Sequence, residues 1–344
     1  MKAFGLRKLT LAAACLLAAA AQAATRLTML RPPADSGPIT VFYPTDATAT
    51  RVQRGPFTLT VAVDAAPVAG NHRLIVMSHG SGGSGWENSD LAQALVAAGF
   101  TVAMPEHAGD NWHDHSAVGP PSWKHRPREV SQAIDAMAAD ARFAPLLDGQ
   151  HVGMYGMSAG GLTALVLAGG SWSPALLARH CEAHLAEDFP TCVGLSSELD
   201  GSALDPVRIA VARRIIHYKF DEDTTLQEGH DARIAAVVAA VPMAAAFDMH
   251  SLAHPRVPLG LVRAGRDAWL APQWHIDAVR AACNGCVLLA DMKDAGHGSI
   301  LSPPVPDLPP RAARLLDDPP GFDRRTLDGV YAAIVRFFVQ NLQP

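Results

Sequence analysis

His151-Val152-Gly153-Met154-Tyr155-Gly156-Met157-Ser158-Ala159-Gly160-Gly161 reads as an apolar strand that runs into a glycine-rich turn carrying one serine, and small, apolar residues continue from Leu162 to Ala168 as a helix. Strand, turn and helix in that order form the Gly-x-Ser-x-Gly pattern of a nucleophile elbow. The requirement is steric. A serine at so sharp a turn sits in a strained backbone conformation, and its neighbours must lack side chains that would strike the strand or the helix. Gly156 and Gly160 supply that clearance.

Working outward, Leu74-Ile75-Val76-Met77 is a continuous apolar run of the kind buried on both faces of a parallel sheet. Further strands are expected at 101–104, 235–241, 258–264 and 287–290. Helices are expected from Asn88 or Ser89 to Gly99, from Pro127 onward with Val130, Ile134 and Met137 inward, and near 276–282. A last helix carries the stripe Leu327, Val330, Tyr331, Ile334 and Phe338. This alternation predicts an α/β fold whose mostly parallel sheet is covered by helices on both faces. Residues 38–44 and 57–63 partly alternate, as in antiparallel strands at a sheet edge. Between 171 and 231 the rhythm breaks, and this stretch is expected to be a lid or cap inserted after the nucleophile helix. The proline-rich stretch 303–320 is expected to be a loop. There is no internal repeat.

The 344 residues, 49% hydrophobic and 18% charged, suit a globular enzyme with a sizeable core and argue against extended disorder. Lys2, Arg7 and Lys8 precede an apolar run from Leu9 to Ala20, which ends in Ala21-Gln22-Ala23. Residues 1–23 are therefore expected to be a signal peptide, cut after Ala23, leaving 24–344 as one domain that is secreted or periplasmic. About a dozen apolar residues are too few for a membrane anchor, and a lipoprotein reading through Cys15 leaves too short an apolar segment before it. Losing three positive charges takes the net charge from -5 to -8. An acidic protein is a poor partner for nucleic acid or an anionic membrane. In an oxidising compartment Cys181, Cys192, Cys283 and Cys286 are expected to form two disulfides. Of the three possible pairings, Cys181 with Cys192 and Cys283 with Cys286 are the local ones.

A serine hydroxyl becomes nucleophilic when a base takes its proton, and the base needs a carboxylate to hold its tautomer. In an elbow-type site the acid and then the histidine follow the serine, each past a later strand. Asp267, past strand 258–264, and His297, past strand 287–290, meet this order, and Asp248 is a rival acid. The oxyanion donors are expected to be the N–H of Ala159, next to the serine, and that of Ser81 in the loop 78–85. The same loop offers a competing reading. Gly80-x-Gly82-x-x-Gly85 with Glu106 matches a dinucleotide fingerprint and would suit an NAD-dependent oxidoreductase, but the helix signals begin several residues late for a pyrophosphate. His107, Asp110, His113, Asp114 and His115 raise a metal reading, which needs an extended segment where glycines and prolines favour a loop. Trp86, Trp112, Trp123 and Trp172 are candidates for an acyl pocket.

Taken together, the chain resembles the α/β-hydrolase superfamily and, within it, the bacterial secreted predicted dienelactone hydrolases. That group is similar to platelet-activating-factor acetylhydrolases and more distantly to cutinase-like polyesterases. The resemblance spans roughly 38–297 and is poorest over 171–231. It rests on Ser78-His79-Gly80-Ser81-Gly82-Gly83, Glu106-His107-Ala108-Gly109-Asp110-Asn111, Arg126-Pro127-Arg128-Glu129-Val130, the elbow, Ala264-Gly265-Arg266-Asp267 and Gly296-His297. It implies Ser158 as nucleophile, His297 as base, Asp267 as its partner, a small-molecule or polymeric ester as substrate, and no cofactor or metal. Dienelactone hydrolases proper carry cysteine where this chain has Ser158, so the family name does not fix the substrate. In the acetylhydrolase branch the acid follows an earlier strand, which keeps Asp248 in view. A catalytically silent, hydrolase-like binding protein is the third reading.

Overall fold

The computed structural model describes residues 24–31, 37–220 and 222–342. The signal-peptide reading of 1–23 lies outside them. The N-terminal part holds β1 (Ala24–Leu30), β2 (Ile39–Thr45), β3 (Thr50–Arg54), β4 (Phe57–Val63) and β5 (Leu74–Ser78). Then come α1 (Ser89–Ala97), β6 (Thr101–Pro105), α2 (Pro120–Ala139), β7 (Val152–Met157) and α3 (Ala159–Leu167). The middle of the chain forms β8 (Ser171–Trp172), α4 (Pro174–His184), α5 (Phe189–Val193) and α6 (Asp205–Phe220). It closes with β9 (Ile234–Ala240), β10 (Phe247–Asp248), β11 (Leu259–Ala264), α7 (Ile276–Ala282), β12 (Val287–Met292), α8 (Pro310–Leu316) and α9 (Leu327–Asn341).

One ten-stranded sheet runs in the order β12-β11-β9-β7-β5-β6-β2-β1-β4-β3. From β12 to β6 every pairing is parallel, and β2 turns antiparallel against β6. Because side chains alternate across a strand, the sheet feeds two cores. Val152 and Met154 of β7 join Val130 and Ile134 of α2, Leu162 of α3 and Leu177 of α4 on one face. Tyr155 and Met157 join Leu91 of α1 and Val330, Ile334 and Phe338 of α9 on the other. The mostly parallel α/β sheet expected from the sequence is present, with helices on both faces.

Four details differ from the sequence expectation. β1 and β3 extend the antiparallel end. α2 begins at Pro120, not Pro127, because Gly119, at φ 88°, sets up a start with proline at its first positions and Pro127 is absorbed inside the helix. The stretch 303–320 contains α8, also opened by proline. The segment 171–231, in whose broken rhythm the sequence marks no element, carries the helices α4, α5 and α6. Both local cysteine pairs are at bonding distance, and Cys181–Cys192 ties α4 to α5.

Asp188 fastens this helical segment to the rest. Its carboxylate accepts from His180 Nε2 (2.8 Å) and Thr191 Oγ1 (3.0 Å) on the segment's side, and from His275 Nε2 (3.1 Å) beyond it. Burial opposes its ionisation, but these hydrogen bonds hold the carboxyl well below the usual aspartate range.

At the elbow, Ser158 has φ 59°, and the glycines around it are spatial necessities. A Cβ on Gly156 would overlap Gly160 O, one on Gly160 would overlap Ser78 O, and one on Gly161 would press on Pro242 Cα. Gly160→Ala is therefore expected to destabilise the protein by about 1–3 kcal/mol through overpacking, read as a lower urea midpoint at unchanged m-value.

Candidate active site

β7, β5, β11 and β12 end on the same edge of the sheet, and each delivers one part of the site. β7 presents Ser158, whose N–H donates to Ala240 O (3.1 Å) and whose carbonyl accepts from Leu162 N (3.1 Å) and Met243 N (3.0 Å). These bonds lock the strained turn. His297 opens a short 3-10 turn past β12 and is 2% exposed. Its Nε2 lies 2.9 Å from Ser158 Oγ and its Nδ1 2.6 Å from Asp267 Oδ2. The other carboxylate oxygen of Asp267 accepts from Trp269 N (2.9 Å) and Leu270 N (2.7 Å), which fixes its orientation. With Nδ1–H donating a hydrogen bond to Asp267, His297 Nε2 is left to accept from the serine hydroxyl. Asp248 instead caps the turn that follows it, accepting from His250 N at 3.1 Å.

β5 delivers the loop 79–84, which lies beside the serine. The N–H of Gly82 donates to Asp110 Oδ1 (2.9 Å), that of Gly83 donates to Gly80 O (3.2 Å), and those of Gly80 and Ser84 face the Glu87 carboxyl. Among the described residues, the Ser81 N–H is the loop amide from 80 to 84 with no acceptor assigned to it. Ala159 begins α3, so its N–H also lacks an intrahelical partner. Both residues line the cavity with Ser158 and His297.

That cavity measures about 850 Å³. Its wall is mostly apolar: Leu177, Ile216, Phe220 and Met243 stand on the α4–α6 side, and Leu301, Val305 and Leu308 on the side leading to α8. Of the four tryptophans singled out, Trp123 lines it. Trp172 packs edge-on against Trp123 at 5.6 Å, and Trp86 and Trp112 meet at a tilt at 5.5 Å outside the lining. Trp269, which the sequence reading did not single out, lines the cavity and lies 5.6 Å from the His297 ring.

A second relay of the same type lies beneath the loop. Ser78 Oγ is 2.7 Å from His107 Nε2, and His107 Nδ1 is 2.5 Å from Glu129 Oε2. All three side chains are buried and none lines the cavity. His113 Nε2 donates to Glu106 Oε1 (2.7 Å) and Asp110 pairs with Arg126 (2.8 Å), so these side chains serve different contacts and do not share one centre. Among the described residues no group of three or more His, Cys, Asp or Glu side chains converges as a metal site would require. In the stretch matching a dinucleotide fingerprint, α1 starts at Ser89, beyond Gly85, and Glu106 is engaged by Trp112 and His113.

Glu87 was not foreseen. It lines the cavity, and burial pushes its carboxyl up to about 8, against the opposing pull of the Ser84 and Gly80 amides. Its position two residues past Gly85 is the sequence signal that could have found it. No family model and no curated protein matches the chain.

The shift at Glu87 has a signed consequence. Below its ordinary value of 4.5 the group is neutral whether folded or unfolded; between 4.5 and about 8 the unfolded chain loses the proton and the folded one keeps it. Stability therefore falls as pH rises through that window. Glu87→Gln, uncharged throughout, is expected to abolish this part of the decline, seen as a melting temperature that drops less than the native protein's on going from acid to mildly alkaline buffer.

Proposed function

We propose that the protein is a serine hydrolase of the α/β-hydrolase class that cleaves carboxylic esters. The observation that carries this reading is the relay Ser158–His297–Asp267, with both hydrogen bonds under 3 Å, opening onto a large apolar cavity. Ser158 Oγ attacks the ester carbonyl as His297 Nε2 takes its proton, and Asp267 stabilises the imidazolium. The carbonyl oxygen becomes an oxyanion held by the Ser81 and Ala159 amides. His297 then protonates the departing alcohol, and a water activated by the same nitrogen releases the acid and restores the serine. The chemistry requires no cofactor.

The cavity favours esters with a bulky or extended hydrophobic group. Its volume lies within the range of pre-formed ligand sites, and its apolar wall rewards each methylene removed from water. The segment 171–231 acts as the lid, since α6 forms one wall and Asp188 fixes its approach. Two cysteine pairs at bonding distance support an exported protein. No helix among the described residues is long and apolar enough to cross a membrane.

Ser158→Ala is expected to lower turnover of a p-nitrophenyl ester by roughly 10⁴-fold or more and to abolish fluorophosphonate labelling; undiminished turnover would sink the assignment. In an ester panel of graded acyl length, kcat/KM should rise from acetyl toward longer chains. Ala212→Phe, which narrows the α6 wall, should cut the preference for long chains by about tenfold.

A further inference from the structure

The peptide that joins Gly80 to Ser81 is held by its oxygen. Gly80 O accepts from His79 Nδ1 at 2.6 Å, from Gly83 N at 3.2 Å and, more distantly, from Arg126 Nη2 at 3.4 Å. In a trans peptide the C=O and N–H point in opposite directions. Drawing the oxygen inward toward α2 therefore turns the Ser81 N–H the other way. Gly80 is already against the nucleophile, since a Cβ there would stand 3.5 Å from Ser158 Cβ.

Arg126 organises this arrangement. Its guanidinium is fully buried, donates through Nη1 to His79 O at 2.6 Å, and is steadied by Nε on Ser122 Oγ at 3.1 Å. Nη2 pairs with Asp110 Oδ2 at 2.8 Å. Asp110, also fully buried, uses its other oxygen to accept from Ser81 Oγ at 2.7 Å and Gly82 N at 2.9 Å. One ion pair thus grips two consecutive carbonyls before Ser81, its side chain, and the amide after it. His79 is oriented to help: its Nε2 accepts from His107 N at 3.1 Å, which places the ring proton on Nδ1, facing Gly80 O.

We propose that Arg126, with Asp110 as its counter-ion, is the positioning residue of the oxyanion hole, acting through the Gly80–Ser81 peptide without touching substrate. This rests on the reading of Ser158 as the ester-cleaving nucleophile. A buried ion pair contributes little net stability because desolvation offsets its attraction. Its geometric yield here is a single amide aimed at the serine while its neighbours are engaged. The planar fork matters, because a lysine ammonium cannot address His79 O, Gly80 O and Asp110 together. The cation also polarises the peptide, which strengthens the N–H as a donor.

The test compares Arg126→Lys and the double variant Arg126→Met/Asp110→Asn, which leaves no unpaired buried charge, with the native enzyme. Steady-state hydrolysis is measured alongside inhibition by an arylboronic acid, whose tetrahedral adduct on Ser158 places an oxygen in the oxyanion position. Expected is a fall in kcat of about 10²-fold or more in the double variant and a smaller one in the lysine variant. KM should be little changed, and boronate affinity should fall in step with kcat, in protein that melts cooperatively. Native kcat, or a loss confined to KM with boronate affinity intact, would overturn the proposal. If the double variant does not fold, Arg126→Lys decides by the same criteria. Turnover that survives Ser158→Ala would overturn the nucleophile reading and this proposal with it. Ser158-dependent turnover with native kcat in the Arg126 variants overturns this proposal alone.

Discussion

A residue with a side chain held at φ 59°, as Ser158 is, occupies a region that costs roughly 1–3 kcal/mol unless the surroundings over-determine it. Here they do. Three backbone hydrogen bonds grip the turn, and three glycines leave no atom in the way of the strand, the helix or Pro242. The conformation lifts the hydroxyl off the end of β7, and the parallel pairing of β5, β9, β11 and β12 around that strand brings their ends to the same edge. Ser81, Asp267 and His297 come within reach because the sheet has this polarity. Had β11 or β12 run antiparallel, Asp267 or His297 would have emerged on the far side.

The buried set Ser78–His107–Glu129 shows what the turn adds. It has the same functional groups at equally short distances, yet none of its three residues lines the cavity beside Ser158. Burial pushes the His107 pKa well below its usual range, so the ring stays neutral and acts as a bracket under the loop. A hydroxyl–imidazole–carboxylate relay is thus ordinary structural material. What separates Ser158 is access: a strained turn that presents the oxygen to an open, apolar space.

The strands 74–78, 101–105, 152–157 and 259–264 were legible because burial on both faces writes uninterrupted apolar runs, and the body of α2 and α9 because their apolar residues repeat at helical spacing. Ser158, Asp267 and His297 were legible from chain order, since each follows a recognisable strand. α6 was not, because its apolar residues do not form one buried stripe: Ala212 and Ile216 are buried, while Val207, Val211 and Ile215 stay about half exposed at the rim of the same cavity. α8 hid behind prolines that were read as loop-formers and here open a helix. Pro127 misled for the opposite reason. The residue before a proline resists helical geometry, but Arg126 is held in α2 by its own side-chain bonds. The node at Asp188 has no local signature at all, since His180 and His275 converge on it from opposite directions along the chain.

β1 has a place in the sheet that its position near the start of the described chain does not suggest. It lies between β2, which it meets antiparallel, and β4, which it meets in parallel. In the strand order, the hairpin β3–β4 connects to the seven strands from β2 to β12 through β1 alone. The seven residues Ala24–Leu30 are therefore a keystone. Detaching them would not fray an edge but would cut the sheet in two, leaving β3–β4 tethered by the chain alone.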